Sequence, residues 1–152
     1  MDKIDTIVLA RKEVSTKDNT RKFWAYFAYR QEKGANGEYQ DVLSSVQDKE
    51  GKQVFKARPI KVRLSQDFEK KLESMNLIFP LMMRLDESKR MTNRDGKVVR
   101  TFYVTVDSDK DTKQPRVDKY GKQHLLLVIR DADDIREKPL ASYSLEDLDT
   151  FE

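Results

Sequence analysis

The aromatic stretch at residues 21–30, RKFWAYFAYR, constrains the fold more than any other part of the chain. It contains five aromatic residues and no glycine, proline or acid, which is typical of a β-strand. Side chains alternate between the two faces of a strand, which predicts two opposed sets: Phe23, Ala25, Phe27 and Tyr29, and Trp24, Tyr26, Ala28 and Arg30. One face is enough for a core. We therefore expect the face with Trp24, Tyr26 and Arg30 to be free for a ligand, and aromatic rings among cations suit unpaired nucleobases on a phosphate backbone.

The length and composition limit the kinds of site that the chain can carry. Its 152 residues are enough for one domain with its own core. The absence of cysteine excludes disulfides, thiolate metal sites and cysteine nucleophiles, and the single histidine, His124, excludes a site that needs two imidazoles. No apolar run approaches the roughly 20 residues of a membrane span, and residues 1–10 lack the layout of a signal peptide. We therefore expect a cytoplasmic protein without membrane contact.

Charge is distributed unevenly along the chain. The net charge is +3, but residues 131–152 hold two bases and eight acids, which leaves 28 bases and 19 acids in residues 1–130. The sequence thus predicts a basic body, residues 1–130, and an acidic C-terminal tail, residues 131–152. A basic body suggests a polyanionic partner.

Alternating apolar residues and turn signals predict seven strands. They cover residues 3–14, 21–30, 39–46, 53–64, 77–85, 97–106 and 124–130. Pro80 suggests an edge or a bulge in the fifth of these strands, and Asp95-Gly96 is a hairpin turn before the sixth.

One short helix is predicted after the fourth strand. Ser65 suits the N-cap position, and Asp67 and Glu69 lie in the first turn, where the helix dipole favours acids. Apolar residues recur at i, i+4 and i+7, as Phe68, Leu72 and Met75. We expect the helix to end near Asn76.

Many strands in a small chain leave edges that must be covered, and closure into a barrel covers them most completely. A five-stranded Greek-key barrel with one helix between strands three and four is the OB-fold, and this order of elements fits it if residues 39–46 belong to an extra hairpin and residues 97–106 extend strand four. An open β-sandwich is the alternative.

The strand order, the aromatic strand, the basic hairpins and the acidic end SLEDLDTFE resemble the single-stranded-DNA-binding proteins, above all the small divergent ones carried by conjugative plasmids and phages of Gram-positive bacteria. The resemblance implies that bases stack on aromatic side chains of the barrel face and that lysines and arginines follow the phosphate backbone. By position in the matching strands, it implicates Trp24, Tyr26, Lys61, Arg63 and Tyr103. Alternation in the fourth strand adds Lys56 and Arg58, and Arg30 lies beside the aromatic pair. A solvated polar face is the alternative for each of the basic residues.

The C-terminal end has three possible uses. Leu145, Leu148 and Phe151 are interleaved with acids, which is similar to the acidic tip by which bacterial single-strand-binding proteins dock on partner proteins. Here Glu152 follows the phenylalanine, whereas the family tip ends on it. A short amphipathic helix that packs on the body, or a contact with a neighbouring subunit, would use the same residues.

Aromatic residues of strands belong more often to a core than to a binding surface. We therefore expect five phenylalanines to be core residues: Phe23, Phe27, Phe55, Phe79 and Phe102. Trp24, Tyr26 and Tyr103 have the opposite parity, and for them a core position and a stacking position are both open.

The sequence contains no arrangement of nucleophile and base, so we expect a non-enzyme without metal or cofactor. The favoured hypothesis is binding of single-stranded DNA without strong sequence preference, by stacking and phosphate contacts, with RNA left open and an oligomer expected. The biological setting would be plasmid transfer or phage or plasmid replication. The alternative is a β-barrel protein-interaction module, an adaptor or inhibitor, that uses the aromatic strand as a hot spot.

Overall fold

The computed structural model describes residues 5–47, 49–109, 111–117 and 123–138. These residues form a mainly β structure with one α-helix, α1, at Gln66–Met75. The strands are β1 Thr6–Ser15, β2 Lys22–Lys33, β3 Tyr39–Asp41, β4 Leu43–Gln47, β5 Gln53–Ala57, β6 Ile60–Leu64, β7 Leu81–Arg84, β8 Arg90–Thr92, β9 Val98–Arg100, β10 Phe102–Val106, β11 Leu125–Ile129 and β12 Asp133–Glu137. The prediction of a mainly β chain is confirmed.

Three of the predicted strands are divided in the structure. The stretch 39–46 becomes β3 and β4, with Val42 donating its N–H to the carbonyl of Arg30 between them. The stretch 53–64 becomes β5 and β6, separated at Pro59, which has no N–H to donate to a ladder. The stretch 97–106 is interrupted at Thr101, whose carbonyl accepts from the N–H of Arg130. In the stretch 77–85 the strand begins only after Pro80, whose peptide bond with Phe79 is cis.

The principal sheet runs in the order β10-β11-β6-β2-β1-β7-β12. Strand β3 pairs with the C-terminal end of β2, at Gln31, Glu32 and Lys33. The sheet curls into a half-barrel. Within the described residues its strand pairs are antiparallel apart from β6 and β11, which are parallel. The hairpins β4–β5 and β8–β9 form two separate small sheets.

The two faces of the sheet are both partly apolar. We call the inner face the one that carries Ile7 and Leu9 of β1, because it packs against the main core together with Phe68 and Leu72 of α1. The opposite, outer face carries a smaller buried cluster of Val8, Ala10, Phe27 and Tyr29, against which Ala57 packs. The end of the outer face nearest to Tyr29 is therefore covered, whereas the end nearest to Phe23 is exposed.

Helix α1 begins and ends as its sequence predicts. The Ser65 hydroxyl accepts a hydrogen bond of 3.2 Å from the N–H of Phe68, and Asn76 adopts the left-handed conformation at the C-cap, with φ of 53°. The N–H of Asn76 donates to the carbonyl of Glu73 at 3.2 Å. No helix in the described ranges is both long and apolar enough to cross a membrane.

The start of the acidic segment belongs to the sheet. Strand β12 pairs with β7, and its Ile135 packs against the main core. The neighbouring acids are paired with bases of the body: Asp131 with Lys71 at 2.8 Å, Asp133 with Lys89 at 2.7 Å and Asp134 with Arg84 at 3.1 Å. The boundary expected after residue 130 therefore falls between two strands of one sheet. The predicted partner-binding residues Leu145, Leu148 and Phe151 lie outside the described residues.

Candidate functional site

A cleft opens where two central strands stop pairing. Strands β2 and β6 are paired only where Tyr26–Ala28 face Ile60–Val62, although both strands continue beyond this point. There the structure contains a cavity of about 450 Å³, which we call the cleft. Its charged and aromatic lining comprises Lys12, Phe23, Trp24, Tyr26, Phe27, Lys61, Arg63, Glu69 and Asp107.

The register of the strands determines which of these side chains lie on the outer face. Residues directly opposite each other in a ladder point to the same side. Phe23 is opposite Val14, Lys12 is opposite Ala25, and Lys61 is opposite Phe27. These residues share the outer face, so an aromatic ring and two cations lie along one side of the cleft.

The expected division of the aromatic strand into one core face and one free face is wrong, because both faces are buried in the middle of the strand: Tyr26 and Ala28 on the inner face, and Phe27 and Tyr29 on the outer face. Tyr26 is opposite Arg11 on the inner face, is only 7% exposed and belongs to the main core, whereas Phe23 on the outer face is 51% exposed. The reason lies in the partner strand. Ile7 and Leu9 are larger than Val8 and Ala10, and the main core forms on the side of the larger pair.

The phenylalanines expected in the core divide into two groups. Phe27 and Phe102 are buried, and Phe79 packs half-buried against the main core, as predicted. The prediction was wrong for Phe23 and for Phe55, which is 65% exposed on the β4–β5 hairpin.

An arginine fills the space beside Trp24. The guanidinium carbon of Arg11 lies 4.0 Å from the centroid of the Trp24 ring and 4.0 Å from that of the Phe79 ring, which is cation–π geometry. Next to it, burial raises the pKa of Tyr26 to about 12, and the hydrogen bond between Tyr26 and Glu69 contributes in the same direction. Trp24 itself is 41% exposed.

The cations of the cleft differ in their surroundings. Arg63 is exposed, whereas Lys61 lies 3.8 Å from the carboxylate of Asp107. His124 is buried near this ion pair, and its pKa is lowered chiefly by burial and further by Lys61 and Arg58, against the opposing effect of Asp107. The end of the cleft near Asp107 therefore holds a group of interacting charges. The end near Phe23 presents the exposed ring of Phe23 and the exposed guanidinium of Arg63.

Half of the nucleic-acid-binding residues predicted from the sequence line the cleft: Trp24, Tyr26, Lys61 and Arg63. The other four do not. Arg30 is opposite Ile7 in β1 and lies beyond the segment of β2 that pairs with β6. Lys56 is exposed on the β4–β5 hairpin, and Arg58 follows β5 near His124. Tyr103 shares the outer face but is separated from Arg63 by Val128 of β11, about 10 Å away across two strand spacings, and its ring lies under Arg130 at 5.0 Å.

Sequence reasoning missed three residues that shape the site, namely Arg11, Lys12 and Phe23. Their roles depend on the register of β1 against β2. In the structure Ser15 pairs with Lys22 across a loop at residues 16–21, and this register pairs Lys12 with Ala25 and Arg11 with Tyr26. Counting back from the turn expected at residues 15–20 would have paired Lys12 with Phe23 and Arg11 with Trp24, which is two residues out. In the part of the chain that the structure describes, no group of three or more histidine, aspartate or glutamate side chains could hold a metal ion.

No protein family, curated protein or solved structure matches this chain.

Proposed function

We propose that this protein binds single-stranded DNA, without strong sequence preference, in the cleft between β2 and β6. The observation that carries the proposal is the exposed ring of Phe23 on the same face as Lys12 and Lys61, with Arg63 beside them. An exposed ring offers a stacking surface to a base, and the cations offer contacts to phosphates. A duplex keeps its base faces stacked inside and cannot use such a ring.

The finer fold assignment belongs to this proposal. Taking β1, β2, β6, β7 and β11 as the barrel strands gives a five-stranded order with α1 between the third and the fourth, which supports an OB-fold. In OB-folds the face of strands two and three binds oligonucleotides, and these strands are β2 and β6 here. The cleft thus lies where such a fold would bind a single strand.

The mode of action is binding rather than catalysis. Stacking on Phe23 would contribute about 1 to 3 kcal/mol, and each phosphate contact adds a salt-sensitive share through counterion release. The protein would cover and protect unpaired DNA in the cytoplasm, as an oligomer or side by side along the strand, during plasmid transfer or phage or plasmid replication. RNA would use the same contacts, because stacking and phosphate contacts do not report the sugar.

Substitution of two exposed phenylalanines tests the proposal. Phe23→Ala removes the ring in the cleft, and Phe55→Ala is the matched control on the β4–β5 hairpin. We expect Phe23→Ala to weaken binding of a labelled poly-thymidine oligonucleotide about 5- to 150-fold in fluorescence anisotropy, which corresponds to about 1 to 3 kcal/mol. Phe55→Ala should leave the affinity unchanged. Equal affinities of the two variants would contradict the proposal.

A protein-interaction module is the second candidate, and one observation favours it. Leu43 and Phe55 are both exposed, and the register of the hairpin places them on one face. Exposed apolar side chains that lie together are typical of protein contact surfaces. Under this alternative, oligonucleotide binding would be absent, and Phe23 would act as a hot spot for a protein partner instead.

A further inference from the structure

We propose that Trp24 and Phe79 form a slot for a single nucleobase, and that Arg11 fills this slot in the free protein. The inference rests on the proposed function and adds to it a defined base-binding position. The guanidinium carbon of Arg11 lies 4.0 Å from the centroid of the Trp24 ring and 4.0 Å from that of the Phe79 ring, so the flat, delocalised group contacts both rings. The centroids are therefore at most twice that distance, 8.0 Å, apart.

A stacked base fits within the upper limit on the separation of the two rings. Bases stack about 3.4 Å apart, so a base between two rings needs about 7 Å. A guanidinium is planar and stacks on aromatic faces, which makes it a physical substitute for a base at this position. The 8.0 Å limit on the centroid separation accommodates this thickness, and the Arg11 guanidinium that contacts both rings occupies the position in the free protein.

The slot lies next to the cleft. Tyr26 and Glu69 line both the cleft and a second cavity of about 180 Å³, which Arg11 and Phe79 also border. Trp24 lines the cleft itself. A strand that lies in the cleft can therefore turn one base inward past Trp24. Arg11 is only half-buried and also interacts with Tyr26, so a base that displaces its guanidinium to solvent or to a phosphate must replace that interaction.

The polar groups at the slot favour particular bases. Glu69 borders the second cavity with an acceptor carboxylate and is hydrogen-bonded to Tyr26. Cytosine and adenine carry an exocyclic amino donor, whereas thymine offers carbonyl acceptors on the corresponding edge. The slot should therefore prefer cytosine or adenine to thymine, although the cleft as a whole is tolerant of sequence.

The test uses uncharged nucleosides, because they have no phosphate and report on the slot alone. Trp24 is the single tryptophan, so its fluorescence quenching has one source. Arg11→Ala empties the slot and should bind deoxycytidine at least tenfold more tightly than the wild type, and thymidine more weakly than deoxycytidine. Adding Phe79→Ala removes one wall and should abolish the gain. Arg11→Gln, which keeps a polar side chain, should show a smaller gain, and circular dichroism and thermal melting establish that each variant is folded.

The outcomes separate the slot from the proposed function. Folded Arg11→Ala and Arg11→Gln variants that bind deoxycytidine no better than the wild type would overturn the slot, as would an equal gain with and without Phe79. Binding of poly-thymidine oligonucleotide by the wild-type protein is measured in parallel. Its absence would overturn the proposed function, whereas its presence together with unchanged nucleoside binding would overturn the slot alone.

Discussion

Phe23 and Phe27 lie on one face of the same strand, yet only Phe27 is buried, at 4% exposure, in the outer cluster with Val8, Ala10 and Tyr29. Their contributions to stability should differ accordingly. We expect Phe27→Ala to lower the free energy of unfolding by about 3 to 5 kcal/mol and Phe23→Ala by less than about 1 kcal/mol, measured by urea denaturation. Similar losses in the two variants would show that the open end of the outer face is in fact packed.

His124 should make stability depend on pH. Burial lowers its folded-state pKa below the ordinary value of 6.5, so as the pH falls below that value the unfolded chain takes up a proton that the folded protein does not. The contribution of the neutral, buried His124 to the free energy of unfolding is therefore fully present above about pH 6.5 and decreases as the pH falls towards its folded-state pKa. We expect the urea midpoint to fall between about pH 7.5 and about pH 5.5, and less so in His124→Gln. An equal fall in both proteins would assign the effect to other groups.

The alternation of residues 21–30 predicted two faces correctly but could not say which of them meets the core. Both faces of β2 are apolar between Ala25 and Tyr29, so the strand alone carries no preference. The choice depends on Ile7 and Leu9 in β1 and on Phe68 in α1, that is, on packing between elements. Because the main core forms on the face opposite to Phe23, the Phe23 ring is left exposed at the cleft.

Helix α1 was predictable because its signals are local. Ser65 caps it, Asp67 and Glu69 occupy its first turn, and the apolar spacing defines its buried side. Strand β12 gave no comparable signal, since Ile135 is its single apolar residue. It is held by pairing with β7 and by ion pairs to residues distant in the sequence, such as Lys89 with Asp133.

Two shortened chains test the place of β12 in the fold. A chain that ends at Lys138 keeps the strand, and a chain that ends at Arg130 loses it together with Ile135 and the ion pairs of Asp131, Asp133 and Asp134. We expect the shorter chain to be less stable by about 2 kcal/mol or more, because a core contact and a ladder are lost. The comparison is made by thermal and urea denaturation. Equal stability of the two chains would place the end of the folded body at residue 130.

The cleft combines residues that the chain keeps far apart. Pairing of β1 with β2 brings Lys12 beside Phe23, and Arg63 joins them because β2 also pairs with β6, which follows in the sequence only after β3, β4 and β5. A single sequence contains periodicity and turns, but not the pairing of distant strands, so it predicted the types of residue at the site better than their arrangement. The distribution of charge shows the same limit, since several acids after residue 130 neutralise bases of the body.

The most direct test is the salt dependence of oligonucleotide binding. Fluorescence anisotropy of a labelled poly-thymidine strand is followed between about 50 and about 200 mM salt, with duplex DNA as the control ligand. The proteins compared are the wild type, Lys61→Gln with Arg63→Gln in the cleft, and the control Lys33→Gln with Lys49→Gln, which removes equal charge from exposed positions outside the cleft lining.

We expect wild-type affinity for the single strand to fall steeply with salt. The cleft variant should bind more weakly, with a salt slope reduced by about 0.7 for each cation that contacts a phosphate, while the control follows the wild type. No binding by the wild type, or equal slopes for the two double variants, would contradict a single-strand site between β2 and β6.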